Sequence, residues 1–220
     1  MPGPILVSDF DGTITKYDFY RLILEQGLPA ETPDFWSQYL SRHITHFEAI
    51  NKTFGAAPFG IERLIELADQ MEPDPDLGPC VRSLFDIGWS FVIASAGCRW
   101  YIDRILTKAE VPHEIEVHAN PGSVVDDRLV MTLPQHSRFY SPETGINKVA
   151  IVERALAGGG VVAFAGDGPP DVEPALLVKP ELRFARGYLA EELTERGVPF
   201  RPYHRWAEVA NTLIALDLNQ

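Results

Sequence analysis

The sequence predicts an α/β protein: a mostly parallel, Rossmann-like sheet with helices on both faces, and a small helical unit inserted after the first strand. Three observations predict it. Short apolar runs at 4–7, 89–94 and 161–165 read as buried parallel strands. Amphipathic helical stretches separate most of them. The stretch from about 17 to 71 is helical in pattern and carries no convincing strand. The expected division is a core of residues 1–15 and 75–220 with an inserted helical cap of residues 16–74. A chain of 220 residues suffices for one core domain and a small second unit.

Residues 4–7 supply the first strand, and the string Asp9-Phe-Asp-Gly-Thr-Ile-Thr15 follows where it ends. Within the helical stretch, Phe47, Ile50 and Phe54 form one apolar stripe, and Ile61, Leu64, Ile65 and Ala68 another. Breaks at Gly27-Leu-Pro29, Thr32-Pro33, residues 55–58 and Glu72-Pro-Asp-Pro75 cut the stretch into roughly four short helices. Residues 75–88 read as a core helix with Val81, Leu84 and Phe85 inward. The strand at 89–94 ends in Ser95-Ala-Gly97, and a helix with Tyr101, Ile102, Ile105 and Leu106 on one face follows. Residues 114–118 are a further strand. Pro121-Gly122 and Asp126-Asp127 mark a β-hairpin within 120–133, and 134–145 reads as a loop. A helix at 146–156 ends at Gly158-Gly-Gly160. The strand at 161–165 runs into Gly166-Asp-Gly-Pro-Pro-Asp171. A short strand at 183–185 and a helix carrying Trp206, Val209, Ala210 and Leu213 close the order.

The polar residues at the strand ends carry the chemistry. Asp9 and Asp11 emerge together at the carboxyl edge of the sheet, where open α/β folds bind ligands. One carboxylate can act as a nucleophile and the other can give and take a proton. The bland alternative is a loop whose acids cap a helix. Ser95 ends an apolar strand, and its bland reading is a cap on the following helix. Lys148 is a lone lysine, a type usually found as a solvated surface charge. An apolar strand delivers Asp167 to the same edge, and Asp171 opens the next helix as an N-cap, a metal-site residue or both. Four acids in one crevice raise each other's pKa values and favour a cation. The donors are all oxygens, with no His or Cys cluster beside them, which selects Mg²⁺.

Taken in order, these strings resemble the four motifs of the haloacid dehalogenase-like (HAD) phosphohydrolases, and the resemblance covers the whole chain. It implies a HAD-like fold with the small cap of the phosphoserine-phosphatase-like branch. It further implies Asp9 as nucleophile, Asp11 as acid and base, and an aspartyl-phosphate intermediate. Ser95 with the N–H groups of Ala96 and Gly97 would bind phosphate oxygens, Lys148 would pair with Asp9 and the phosphoryl group, and Mg²⁺ would sit among Asp9, Asp11, Asp167 and Asp171. Ala96 and Pro170 stand where related sequences often have Gly and Asn. Arg183-Phe-Ala-Arg-Gly-Tyr-Leu189, Pro202-Tyr203 and the opening motif are similar to the methionine-salvage group acting on 2-hydroxy-3-keto-5-methylthiopentenyl 1-phosphate. That group can carry a cysteine-rich stretch before the lysine, and residues 137–147 here have none. The alternatives are a phosphoserine phosphatase, with Asp18 for the amine and Lys52 as the one positive side chain of residues 43–62, a phosphomutase, and a non-catalytic binding protein on the same fold.

The net charge of −12 argues against a nucleic-acid partner, which needs a basic face, and leaves room for a small phosphorylated metabolite. Two cysteines make no disulfide framework. No leader-like segment and no apolar run of spanning length is visible, so a cytoplasmic protein without membrane contact is expected. His43, His46, His113, His118, His136 and His204 show no ligand-like pairing and read as surface or core residues. Oligomeric state is not encoded in any pattern seen.

Overall fold

The computed structural model describes residues 3–26 and 28–216. Gly27 of the first helical break and the outermost residues of the expected core lie outside that range.

The first strand, β1 (Ile5–Ser8), explains why its sequence is apolar throughout. Leu6 belongs to one hydrophobic cluster and Val7 to another, because successive side chains point to opposite faces and both faces are covered. Four helices follow: α1 (Phe19–Glu25), α2 (Phe35–Leu40), α3 (His46–Ala56) and α4 (Gly60–Asp69). Asp18, Asp34 and Thr45 cap the first three through side-chain oxygens. Their apolar faces (Phe19, Ile23, Phe54 and Leu64 among them) join the same cluster as α5 (Leu77–Asp86), β2 (Ser90–Cys98) and α6 (Arg99–Lys108).

Next come β3 (Glu116–Asn120) and a hairpin of β4 (Gly122–Val125) and β5 (Arg128–Met131). Asp126 and Asp127 both have positive φ, the backbone that a two-residue hairpin turn requires. The hairpin is tied to α3: the Met131 N–H donates to Asn51 Oδ1 at 2.7 Å, and Arg128 Nη1 donates to the Gly55 carbonyl at 2.6 Å. The remaining elements are β6 (Tyr140–Ser141), β7 (Gly145–Ile146), α7 (Lys148–Ala157), β8 (Val162–Gly166), α8 (Val172–Leu176), β9 (Arg183–Ala185), α9 (Gly187–Glu195), β10 (Arg201–Pro202) and α10 (Trp206–Ala215).

The main sheet has the order β10-β9-β8-β1-β2-β3, and all its neighbours are parallel. From β1 the chain passes to β2 on one side and later to β8 on the other. The crevice at the carboxyl ends of β1 and β8 is therefore a topological switch point.

Three local expectations need correction. Residues 134–145 are not all loop, because Tyr140 and Ser141 pair with Ile146 and Gly145. The helix expected from 146 starts at Lys148, since Asn147 Oδ1 accepts the Ala150 N–H and sets the cap there. Strand β2 runs on to Cys98 instead of stopping at 94. Its register with β3 jumps between Ala94–His118 and Cys98–Asn120, so four steps along β2 oppose two along β3. The surplus bulges the backbone at Ser95, Ala96 and Gly97, a device common beside active sites.

Candidate active site

The crevice is built around one buried lysine. Lys148, on the first turn of α7, puts Nζ 2.7 Å from Asp9 Oδ1 and 2.6 Å from Asp171 Oδ1. All three residues are buried. The second oxygen of Asp171 accepts the N–H groups of Asp167 (3.1 Å) and Gly168 (3.0 Å). Asp171 thus folds its own loop back and makes no side-chain cap to α8, contrary to the N-cap reading. Asp167 accepts a hydrogen bond from Thr13 Oγ1 at 2.9 Å. Gly12, at φ +67°, lies against the Asp167 carboxylate, and a β-carbon there would collide with it.

Asp11 faces the other way. Its Oδ2 accepts from Tyr101 Oη at 2.9 Å and lies 3.5 Å from Ser95 Oγ, and its Oδ1 accepts the Phe19 N–H at 3.3 Å. Oxygens of Asp9, Asp167 and Asp171 lie within 4.8 Å of one another, and the Asp11 carboxylate is not part of that group. Three of the four expected carboxylates thus converge, while Asp11 turns to Tyr101 and the start of α1. Ser95 Oγ accepts the Gly97 N–H at 2.9 Å, so the bulge closes on itself. A side chain at position 97 would run into Tyr101, Asp11 and Ser95.

These residues open into a cleft of about 1160 Å³ between the sheet edge and α1–α3. Asp9, Asp11, Ser95, Ala96, Gly97, Lys148 and Asp167 line its floor, and Leu22, Leu28, Trp36, Ile50 and Phe54 line the opposite wall. Asp18 also lines it, but its Oδ1 accepts the Tyr20 and Arg21 N–H groups at the head of α1. Lys52 is exposed, with its ammonium 5.9 Å from the Phe35 ring, and is not among the residues that line the cleft. On α3 it points away from the face that Ile50 and Thr53 present to the cleft.

Two residues gain meaning only here. Tyr101 sits on a helix face that reads as ordinary core. His46, read as a surface or core residue, is buried and lines the cleft. No local pattern identifies either; the hydrogen bonds cited for them reach residues 90 and 97 positions away in sequence.

The electrostatics follow from burial. Asp9 is pushed up to about 7, first by loss of water and then by the Asp171 charge, with Lys148 pulling the other way. Asp11 is held well above the usual carboxylate range by burial and by the charges of Asp18 and Asp9, against the hydrogen bonds from Tyr101 and Phe19. Asp167 is raised by burial and by Asp9 and Asp171. Burial alone would lower Lys148; Asp171 and Asp9 more than reverse it, so the ammonium is retained. One internal cation faces a surplus of carboxylate, and the donors are hard oxygens. The cluster thus fits a divalent cation of the magnesium type.

A parallel sheet with acids at its switch point, a buried lysine and a helical layer over the cleft define an α/β protein with a sheet-edge acidic site. The haloacid dehalogenase-like hydrolase family model matches residues 6–175, and the chain belongs to that family. The chain is 24% identical over 212 residues to the 2-hydroxy-3-keto-5-methylthiopentenyl-1-phosphate phosphatase of Bacillus velezensis, covering 94% of this chain and 88% of that one. It is also 24% identical over 216 residues to the bifunctional enzyme MtnB/MtnX of Bacillus licheniformis, covering 97% of this chain but only half of that protein. Among solved structures, a HAD family hydrolase from Salmonella enterica serovar Typhi superimposes with a TM-score of 0.70 at 17% identity, over 98% of this chain and 72% of that one. A phosphoserine phosphatase in its phospho-aspartyl intermediate analogue form gives 0.61 at 15% identity, over 93% and 95%. No helix of the described residues is long and apolar enough to cross a membrane.

Proposed function

We propose that this protein is a phosphomonoester hydrolase that cleaves a small phosphorylated metabolite through an aspartyl-phosphate on Asp9. The observation that carries the reading is the division between the two acids. Asp9 is paired with Lys148 at 2.7 Å, while Asp11, two residues on, is held apart by Tyr101 at 2.9 Å. Such an arrangement separates a nucleophile from a proton donor.

In the first step Asp9 attacks phosphorus, the bond from phosphorus to the leaving oxygen breaks, and Asp11 delivers a proton to that oxygen. In the second, Asp11 takes a proton from water, the resulting hydroxyl attacks phosphorus, and the Asp9–phosphorus bond breaks. Lys148 stabilises the transferring oxygens together with the Ser95 hydroxyl and the Ala96 and Gly97 backbone on the bulge. Asp9 and Asp167 would hold Mg²⁺, with Asp171 fixing Lys148 and the loop. When bound, Mg²⁺ offsets the negative charge of phosphate and acids. Residues 16–74 act as a cap over a core of 1–15 and 75–220, excluding water during the reaction.

The finer substrate we propose is 2-hydroxy-3-keto-5-methylthiopentenyl 1-phosphate. Support comes from relatives of that name and from the apolar wall of Leu22, Leu28, Trp36, Ile50 and Phe54. Phosphoserine fits this cleft less well. Its carboxylate would have the exposed Arg21 at the rim, since Arg186 is engaged by the carbonyls of Gly12, Thr15 and His204, and Lys52 lies elsewhere.

The test is a panel of phosphate esters assayed for inorganic phosphate with Mg²⁺ and with EDTA. Turnover should depend on Mg²⁺, and Asp9→Asn should abolish it. Near-normal turnover by that variant would sink the covalent scheme, and an isomeric phosphate without free phosphate would reassign the protein as a mutase.

A further inference from the structure

Among the described residues, the cleft wall opposite the acids holds a buried imidazole with an unpartnered ring nitrogen. His46 is the first residue of α3 and is 5% exposed. Its position is fixed. The main-chain N–H donates to Glu143 Oε1 at 3.1 Å, and the ring meets Trp36 (5.8 Å between centroids, 70°) and Tyr39 (5.4 Å, 82°) edge-on. The ring nitrogen Nδ1 is enclosed and has no hydrogen-bond partner among the described residues.

Burial, and then the charge of Lys148, hold the imidazole at about 4, so it is neutral at pH 7. A neutral ring carries one proton. An enclosed nitrogen without a partner is better left as a bare lone pair than as an unmet N–H, which puts the proton on Nε2. The residue is among those that line the cleft.

Several polar groups of the cleft are engaged elsewhere. Thr53 donates to the Ala49 carbonyl, Asp18 accepts from α1, Lys16 pairs with Glu72, and Arg186 is held by three carbonyls. A donor set into an apolar wall selects a leaving group that is apolar along most of its length and bears one oxygen acceptor. It disfavours an ammonium group, which has only donors to offer.

We propose that His46 is the specificity residue of the cap, donating from Nε2 to a carbonyl or hydroxyl oxygen of the leaving group. The proposal rests on the phosphatase reading above and adds to it the atom that reads the alcohol.

The probes are n-pentyl phosphate and analogues with a keto group at successive carbons of the chain, with p-nitrophenyl phosphate as a general ester. For the unaltered protein with Mg²⁺, at least one keto ester should exceed pentyl phosphate in kcat/KM by on the order of tenfold or more. His46→Met should lose that preference while keeping turnover of pentyl phosphate, which also reports that the variant is folded. His46→Gln, nearly isosteric with Met and carrying a donor where Nε2 lies, should keep most of it. No preference in the unaltered protein, or a preference that survives in His46→Met, overturns the assignment. Absence of phosphate release from every ester, p-nitrophenyl phosphate included, would instead remove the phosphatase reading on which it rests.

Discussion

Burial of uncompensated carboxylates makes a prediction about stability that does not depend on knowing the substrate. Asp9 moves from 3.8 to about 7 in the metal-free fold. A gap of about 3 pH units corresponds to about 4 kcal/mol, since each unit is about 1.4 kcal/mol. The sign follows from proton counting. Between pH 3.8 and about 7 the folded protein holds a proton on Asp9 that the unfolded chain has lost, so metal-free stability falls as pH rises through that window. Asp11 and Asp167 are displaced in the same direction. His46 acts oppositely. Its depressed value makes stability rise with pH between about 4 and 6.5. Comparing Mg²⁺ with EDTA at each pH cancels that contribution, because Mg²⁺ relieves only the acids. The difference in Tm between the two conditions should therefore widen from pH 5 to about 7. The Asp9 share alone, about 4 kcal/mol, corresponds to roughly 10 °C for a chain of this size. Differential scanning fluorimetry of the protein and of Asp9→Asn measures it, and the variant should show less than half the effect. A Tm difference that is flat with pH, or equal in Asp9→Asn, would refute the argument.

Further outcomes follow from the same geometry. Asp11→Asn should slow alkyl phosphate hydrolysis roughly a hundredfold or more and p-nitrophenyl phosphate much less, because the activated aryl group leaves without protonation; an equal loss on both would remove Asp11 as the acid. Lys148→Met leaves Asp9 and Asp171 facing each other without a cation and should cost about 3–5 kcal/mol in urea denaturation, whereas an unchanged midpoint would mean that the ion pairs contribute nothing. Tyr101→Phe removes the donor to Asp11 and should lower kcat on alkyl esters about tenfold while leaving inhibition by inorganic phosphate unchanged; weakened phosphate binding would show that Tyr101 shapes the floor instead.

Much of the architecture was legible because parallel strands buried on both faces leave continuous apolar runs, as at residues 4–7 and 161–165, and each ended in a polar string. The hairpin announced itself through Asp126-Asp127, which tolerate positive φ. Strands β6, β7 and β10 were invisible because two residues carry no period. The bulge at Ser95 was unreadable for another reason: it is a mismatch between β2 and β3, a property of two segments rather than one. Spacing placed Asp9 and Asp11 at one edge, but the direction in which Asp11 points is set by Tyr101, and nothing local encodes that. Asp171 looked like a helix cap because it precedes α8; its carboxylate instead reaches back to its own loop and to Lys148. Lys52 looked useful because it was the cation within its stretch, yet the helical phase of α3 turns it outward.

Arg186 links the two ends of the chain. Its guanidinium donates to the carbonyls of Gly12 and Thr15, 174 and 171 positions earlier, and to His204. The turn that carries Asp9 and Asp11 is made well before the residue that clasps it. Order therefore reaches that turn late. A chain stalled at residue 180 would hold every acid named above and the lysine, and its first turn should still be cut readily by protease, while the completed chain resists.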